Sequence, residues 1–182
     1  MRRQVWLVRH PPVARAWAHR CYGQSDPPLS RAGGAMLAGL AEQLAALGPQ
    51  RVVHSGWRRT AGLARRVAQL AGCEVQVDSA WSERHFGTWE GQGWHAIWRE
   101  TGDAMDRMMT DPHGFRPGGG ETTAELAERA WAAFDTLPEG DSIVVTHGGP
   151  IAALLARAAG TGLESLVHFI PAAGSTSLVQ TS

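Results

Sequence analysis

The residues Val5-Trp6-Leu7-Val8-Arg9-His10-Pro11-Pro12 give the strongest indication of the fold. Its first four residues are apolar without interruption, which is typical of strands buried on both faces of a parallel sheet. Pro11 and Pro12 end the strand, because proline lacks the backbone N–H and pushes the residue before it into extended geometry. We therefore expect a buried strand that turns at its carboxyl end and presents Arg9 and His10 there.

Three further segments place polar side chains close behind a short apolar run. Residues 143–145 (Ile-Val-Val) lead to His147 in a Thr-His-Gly-Gly-Pro sequence, residues 51–54 lead to Arg59, and Glu83 follows a tryptophan by two positions. Ligands of open α/β sheets bind beyond the carboxyl ends of the strands. We expect these groups to converge with those of the first strand, and imidazoles, guanidinium groups and one carboxyl together are typical of a phosphate site.

The composition excludes several functional classes. The 182 residues are 43% hydrophobic and 19% charged, with 17 basic and 17 acidic groups and a formal net charge of zero. This balance gives no reason to expect nucleic acid or an anionic membrane as a partner. All basic residues are arginine, which excludes a Schiff-base lysine, a pyridoxal-phosphate anchor and a Walker-type phosphate loop. Arginine must hold any anion, and of the adjacent Arg58 and Arg59 we expect one to be solvated.

The cysteine pattern and the hydropathy predict a cytoplasmic protein. Cys21 and Cys73 have no metal-ligand spacing, so reduced thiols are expected. The first apolar run is too short for a signal-peptide core, and no stretch approaches the length of a membrane span.

Alternating apolar runs and amphipathic segments predict one domain over residues 1–182, a three-layer α/β/α sandwich with a mostly parallel central sheet. We predict strands at 4–9, 51–54, 75–77, 142–146, 166–170 and 175–180, and helices at 31–46, 58–71, 122–136 and after Pro150. Ser30 and Thr122 are the expected N-caps, and the alternation of Val75 and Val77 indicates an outer strand. Residues 88–120, rich in Trp and Met, are expected to form an excursion that caps the site.

Six elements, in order along the chain, carry a family resemblance. They are Arg9-His10, Arg20–Gly33 (RCYGQSDPPLSRAG), Ser55 with Arg59, Ser82–Gly91 (SERHFGTWEG), Gly119–Thr122 (GGET) and Thr146–Gly149 (THGG). Together they resemble the histidine phosphatase superfamily, which has the phosphoglycerate-mutase-like fold. The resemblance covers nearly the whole chain.

The resemblance implies a role for each of the converging groups. His10 is the implied nucleophile and forms a phosphohistidine, while Arg9, Arg59 and His147 hold the phosphoryl oxygens. Glu83 is the implied acid for the leaving alkoxide and base for the attacking water. No metal ion and no cofactor is implied, and the partner is a small phosphorylated metabolite.

A resemblance to one branch of the family implies which residues contact the substrate. Residues 21–29 (CYGQSDPPL) resemble the alpha-ribazole phosphatase branch of the family, which acts in cobalamin synthesis. On this basis we expect Arg20, Tyr22, Gly23, Gly148 and Trp94 to contact substrate.

The chain departs from the family pattern beside the first histidine. Pro11 replaces the family's glycine, and Pro12, Val13 and Ala16 replace polar residues. A hydrogen bond to the phosphoryl group is therefore expected to be missing, or to be supplied by Tyr22 or His19. These departures argue against a mutase.

The tryptophans of the excursion have two interpretations. Trp94 and Trp98 are four residues apart and would share a helix face. We favour a satellite core; the alternative is a cap whose aromatic rings stack on a planar leaving group.

Four alternatives to an alpha-ribazole phosphatase stay open. They are a phosphatase of other metabolites or of phosphoproteins, a phosphoglycerate-mutase-like enzyme, a metal hydrolase that uses His10, His147 and Glu83 as ligands, and a non-catalytic phosphate-binding module. Arg9 and Arg59 would repel a metal cation, which disfavours the third.

Overall fold

The computed structural model describes residues 3–181. Its strands are β1 (Arg3–Arg9), β2 (Arg51–His54), β3 (Glu74–Val77), β4 (Ser142–Thr146) and β5 (Thr176–Thr181). Its helices are α1 (Arg31–Ala45), α2 (Arg58–Ala71), α3 (Trp94–Thr101), α4 (Arg107–Thr110), α5 (Thr123–Asp135) and α6 (Gly148–Ala158). These bounds agree with most of the elements predicted from the sequence.

The five strands form one sheet in the order β3-β2-β4-β1-β5. The first four of these are parallel, and β5 alone runs antiparallel, against β1. Arg9 pairs with Thr146, so the residues that follow β1 and β4 leave the sheet side by side. The predicted mostly parallel sheet is confirmed, and β3 lies at its edge as expected.

Alternate residues of the central strands face opposite helical layers. Trp6 and Val8 pack on one face with buried residues of α1 and α2, whereas Val5 and Leu7 pack on the other with residues of α5 and α6. Both faces are apolar because both are covered, which explains the unbroken hydrophobic runs. The three-layer α/β/α arrangement is therefore confirmed.

The helix ends follow the local sequence signals. The Ser30 hydroxyl accepts a hydrogen bond from the backbone N–H of Gly33 at 2.9 Å, and Thr122 forms a capping box with Glu125. Gly72 ends α2 in the left-handed conformation, with φ of +66°. All three boundaries were predicted.

One predicted strand is absent, and one predicted helix begins earlier than expected. Residues 166–170 do not form a strand but belong largely to a 3₁₀ segment, Leu163–Phe169, in which Leu166 packs against α5 and α6. A short apolar run cannot be assigned to strand or helix by its periodicity alone. Helix α6 begins at Gly148, two residues before Pro150, since the first helical N–H groups have no partner within the helix and proline fits among them.

The excursion at residues 88–120 contains α3, α4 and several 3₁₀ turns. It has a small core of its own, in which Cys21, Trp89 and Ile97 are buried and Trp94, Met105, Met108, Phe86 and Phe115 pack against them. The favoured satellite core is therefore present. Within residues 3–181 no helix is both long and apolar enough to cross a bilayer.

Candidate active site

The ends of β1 and β4 bring His10 and His147 together. The backbone N–H of His10 donates to the carbonyl of Thr146 at 3.0 Å, which extends the parallel ladder by one residue. The two imidazole centroids are 5.2 Å apart, and both rings are buried. The predicted convergence of the two histidines is observed.

The hydrogen bond of His10 determines which ring nitrogen is free. Its Nδ1 lies 2.8 Å from the carbonyl oxygen of Pro11, which can only accept, so Nδ1 carries the proton. Nε2 then keeps its lone pair. Burial, together with Arg59 and Arg9, lowers the pKa of His10 to about 3. Proline retains its carbonyl, so the replacement of glycine at position 11 leaves this contact intact.

His147 is the N-cap of α6 and is held on both ring nitrogens. Its Nε2 lies 2.8 Å from the Ser55 hydroxyl, and its Nδ1 accepts a hydrogen bond from Nε of Arg59 at 3.3 Å. Burial and the nearby Arg59 guanidinium lower the pKa of His147 well below its usual value. The ring is therefore neutral in the unliganded site, and a phosphoryl dianion beside it would favour its charged form.

Arg59 lies in the first turn of α2 and is 1% exposed. Its Nη1 and Nη2 donate to the carbonyls of Ser25 and Gly23, both at 2.6 Å. Gly23 has φ of +39°, and a Cβ there would lie 2.8 Å from the Arg84 carbonyl, so glycine is required. Nη1 also donates to Oδ1 of Asp26 at 3.5 Å, so the loop fixes Arg59 while leaving one N–H of Nη2 for a ligand.

Arg9 presents a second guanidinium to the site. Its Nη1 donates to the Pro171 carbonyl at 2.6 Å, while its buried Nε has no hydrogen-bond partner among the described residues. A Cβ at Gly148 would be 3.4 Å from Cζ of Arg9 and 3.1 Å from Ile170, so glycine allows this close approach. A guanidinium held in place with unused donors is suited to a phosphate oxygen.

Glu83 places its carboxylate at the N-terminus of α6. The backbone N–H of Gly149 donates to Oε1 at 3.1 Å and to Oε2 at 3.3 Å, and the N–H of Arg84 donates to Oε1 at 2.9 Å. The hydroxyl of Thr146 donates to the Trp81 carbonyl at 2.6 Å, which ties this segment to the end of β4. The sequence alone gave no indication of this hydrogen bond between Thr146 and Trp81.

A pocket of about 320 Å³ opens beside these groups. It is lined by Arg9, Ala18, Arg20, Tyr22, Glu83, Arg84, Phe86, Trp94, Met105, Met108, Met109, Thr123, Leu126, Gly148, Gly149, Leu163, Leu166, Val167 and Ile170. Its wall is mainly apolar away from the arginines and the carboxylate. Residues of the excursion and of the 3₁₀ segment 163–169 both contribute to this wall.

Most of the predicted substrate-contact residues lie at this pocket. Tyr22, Arg20, Gly148 and Trp94 line it, and the Tyr22 ring lies 6.2 Å from the His10 ring. Gly23 instead lies behind Arg59 as its hydrogen-bond acceptor.

Three further expectations concerned single side chains, those of His19, Trp98 and the arginine pair. His19 is exposed and is not part of the pocket wall, so of the two suggested replacements only Tyr22 is near the phosphoryl site. Trp98 is 58% exposed and also outside the wall, so it does not share the position of Trp94. Arg58 is the solvated member of the arginine pair, bonded to Asp26 at 3.1 Å.

Sequence reasoning missed Arg84, Met109 and the apolar residues of the 3₁₀ segment as pocket-lining groups. Arg84 was visible only as the neighbour of Glu83. The 3₁₀ residues were missed because their segment was predicted as a strand.

The neutral histidines predict that stability depends on pH. The pKa of His10 is about 3 in the folded protein and near 6.5 when unfolded, so the unfolded chain binds more protons between these values. Stability therefore falls as pH drops below 6.5. We expect His10 to account for a loss of about 2 kcal/mol in the free energy of unfolding between pH 7.5 and 5.0, and His147 adds a loss of the same sign.

Urea titrations at the two pH values measure this loss. The His10→Ala variant should lose less than the wild type. Equal pH dependence in the two proteins would contradict the assignment of a neutral His10.

Among residues 3–181 no group of three His, Cys, Asp or Glu side chains is arranged to hold a metal ion. The two-histidine-one-carboxylate alternative thus has no ligand set in the described part of the chain.

Both a family model and a curated relative match this chain. Residues 5–182 match the model of the histidine phosphatase superfamily (branch 1). The probable phosphoglycerate mutase GpmB of Salmonella paratyphi C is 30% identical over 161 residues, which cover 86% of this chain and 75% of that protein.

Solved structures agree with this match. The mycobacterial glucosyl-3-phosphoglycerate phosphatase superposes with a TM-score of 0.85 at 25% identity, over 97% of this chain and 90% of the other. The alpha-ribazole phosphatase of Shigella flexneri gives 0.83 at 24% identity, over 96% and 89%, which shows a common fold. The chain belongs to the histidine phosphatase superfamily (branch 1).

Proposed function

We propose that this enzyme is a metal-independent phosphomonoester hydrolase that works through a phosphohistidine at His10. The observation that carries the proposal is the free Nε2 of His10, whose Nδ1 is bound to the Pro11 carbonyl. This nitrogen is unprotonated at neutral pH and lies beside two guanidinium groups and a second imidazole. Such a site combines a nucleophile with fixed positive charge where the transition state becomes more negative.

In the first step Nε2 of His10 attacks the phosphorus in line with the ester oxygen. The P–N bond forms as the P–O bond breaks, and the ester oxygen takes a proton from the Glu83 carboxyl. Arg9, Arg59 and His147 hold the three phosphoryl oxygens as charge builds on them. The first product is the free alcohol.

In the second step water attacks the phosphohistidine. The Glu83 carboxylate accepts a proton from this water, the P–N bond breaks, and inorganic phosphate leaves. His10 is again neutral, and Glu83 is again protonated for the next cycle. No external oxidant or cofactor is needed for this balance.

Alkaline quenching with detergent during turnover of a radiolabelled aryl phosphate tests this scheme. We expect label on the protein in a bond that is labile to acid and stable to base, and unchanged turnover in EDTA. Absence of labelled enzyme under conditions of steady turnover would falsify the phosphohistidine route, and loss of activity in EDTA would favour a metal hydrolase.

A phosphoglycerate mutase is the second candidate, because the Salmonella relative carries that name. A mutase must return the phosphoryl group to a bound phosphoglycerate, whereas a phosphatase passes it to water. The apolar pocket wall supports the phosphatase, since phosphoglycerate has little apolar surface to bury. Incubation with 3-phosphoglycerate distinguishes them by whether phosphate is released or the isomer is formed.

For the substrate we propose alpha-ribazole 5′-phosphate as the first compound to test in a panel of phosphorylated metabolites. The resemblance of residues 21–29 to that branch and the Trp94 ring in the pocket wall support it. Glucosyl-3-phosphoglycerate belongs in the same panel because a structural neighbour is a phosphatase of that compound. The compound with the highest kcat/KM identifies the substrate class.

Glu83→Gln should separate the two chemical steps. With p-nitrophenyl phosphate, whose leaving group needs no proton, the first step should survive while attack by water slows by about 10²- to 10⁴-fold. Stopped-flow absorbance should show a burst of nitrophenol equal to the enzyme concentration. The exposed Glu128→Gln serves as the control and should show wild-type kinetics; a Glu83→Gln variant without any burst contradicts the assigned role in water activation.

A further inference from the structure

The guanidinium of Arg129, in α5, makes four hydrogen bonds at once. Its Nε and Nη2 donate to the two carboxylate oxygens of Glu121, at 2.9 and 2.8 Å. Its Nη1 donates to the backbone carbonyls of Ala80 and Ser82, at 2.6 and 3.0 Å. The side chains of Arg129 and Glu121 are only 25% and 15% exposed, so little water competes for these bonds. Because the guanidinium is planar and rigid, it fixes all of these partners in one geometry.

Glu121 holds the other end of the same segment. Its backbone N–H donates to the His85 carbonyl at 2.7 Å, and its Oε2 accepts from the His85 N–H at 3.4 Å. Arg129 and Glu121 therefore bind the Glu83 segment, residues 80–85, on both sides of Glu83. Neither of the two belongs to the wall of the pocket. Any effect that they have on the reaction must pass through the Glu83 segment.

The proposed mechanism places a strict demand on the position of Glu83. Its carboxyl gives a proton to the ester oxygen and later takes one from water, so it must stay within hydrogen-bond reach of both. A displacement of about 1 Å at a reacting group can cost about 10²-fold in rate. Without Arg129 the carbonyls of Ala80 and Ser82 would lose a donor, and the Glu83 segment would be free to shift.

We propose that Arg129, oriented by Glu121, is a positioning residue that keeps the Glu83 carboxyl within reach of the ester oxygen. This inference rests on the proposed function, because it needs Glu83 as the acid and base. Loss of Arg129 then weakens proton transfer by Glu83 and leaves the phosphoryl site at His10 intact.

Two aryl esters that differ in their need for an acid test the inference. Phenolate is a much poorer leaving group than nitrophenolate, so phenyl phosphate depends on protonation by Glu83 whereas p-nitrophenyl phosphate does not. For Arg129→Met we expect kcat/KM to fall by about 10²-fold with phenyl phosphate and by less than about threefold with p-nitrophenyl phosphate. A contribution to folding alone would lower both values by the same factor, and that result would overturn the proposal.

A double-mutant cycle shows whether Arg129 acts through Glu83. In the Glu83→Gln background, where the proton transfer is already lost, Arg129→Met should lower kcat/KM for phenyl phosphate by less than about threefold. Losses that multiply independently would contradict a positioning role. Arg157→Met is the matched control, because it removes a guanidinium that is bound to the carboxylate of Asp135 at 2.9 Å on the surface. It should leave kcat/KM for both esters at the wild-type values.

A second variant keeps the test decisive if thermal melts show that Arg129→Met does not fold. Glu121→Gln removes the charge of the pair but keeps its shape and one acceptor oxygen, and it should show the same selectivity in weaker form. An equal loss for both esters in Glu121→Gln would then overturn the proposal. Selectivity in Glu83→Gln without selectivity in Arg129→Met overturns the role of Arg129 alone. If Glu83→Gln itself does not distinguish the esters, the proposed acid is wrong, and this inference fails with it.

Discussion

Replacing His10 by alanine is expected to lower kcat/KM for p-nitrophenyl phosphate by about 10⁴-fold or more, because loss of a nucleophile removes the covalent route altogether. The acid-labile label on the protein should disappear with it. Initial rates and labelling after an alkaline quench measure the two effects on the same preparation. The His10 ring is 1% exposed, so a thermal melt must accompany the kinetics to show that the variant is folded.

The exposed His113 supplies the matched control. His113→Ala removes an imidazole of the same kind from the excursion and should change neither rate nor labelling. A folded His10→Ala enzyme with more than a tenth of the wild-type rate would exclude His10 as nucleophile. Retained labelling in that variant would move the covalent step to another residue.

The convergence of the two histidines could be predicted because it depends only on strand order and direction. β1 and β4 both read as buried parallel strands, and residues that follow adjacent parallel strands emerge at one edge of the sheet. Arg59 was predictable for the same reason, since it follows β2, which pairs with the other side of β4. Local signals sufficed for the helix ends, where Ser30 and Thr122 accept the expected hydrogen bonds.

The pocket wall could not be predicted because it is assembled from many segments that are distant in sequence. Met105 and Met108 read equally well as core residues, and they do pack on the satellite core while also lining the pocket. Leu166 belongs to a segment too short for its periodicity to separate strand from helix.

Replacing Arg59 by methionine should have the second largest effect. The guanidinium donates to two loop carbonyls, to His147 and to Asp26, and we place its remaining N–H on a phosphoryl oxygen. We expect kcat/KM to fall by about 10³-fold, since a fixed donor to the developing charge is lost. The free energy of unfolding should fall by about 1–3 kcal/mol, because buried carbonyls lose their donor.

Arg58→Met provides the control for this loss, because Arg58 is the next residue on the same helix but its side chain is 71% exposed. Its ion pair with Asp26 should contribute less than about 1 kcal/mol, and its removal should leave kcat/KM within about threefold of the wild type.

The pKa values of the two histidines separate the electrostatic effect of Arg59 from its effect on packing. The Arg59 charge lowers the pKa of both His10 and His147, so Arg59→Met should raise both, as histidine titrations followed by NMR would show. Unchanged histidine titrations in a folded Arg59→Met protein would mean that the guanidinium does not act on the reacting groups, and the assignment of Arg59 to the phosphoryl site would then be wrong.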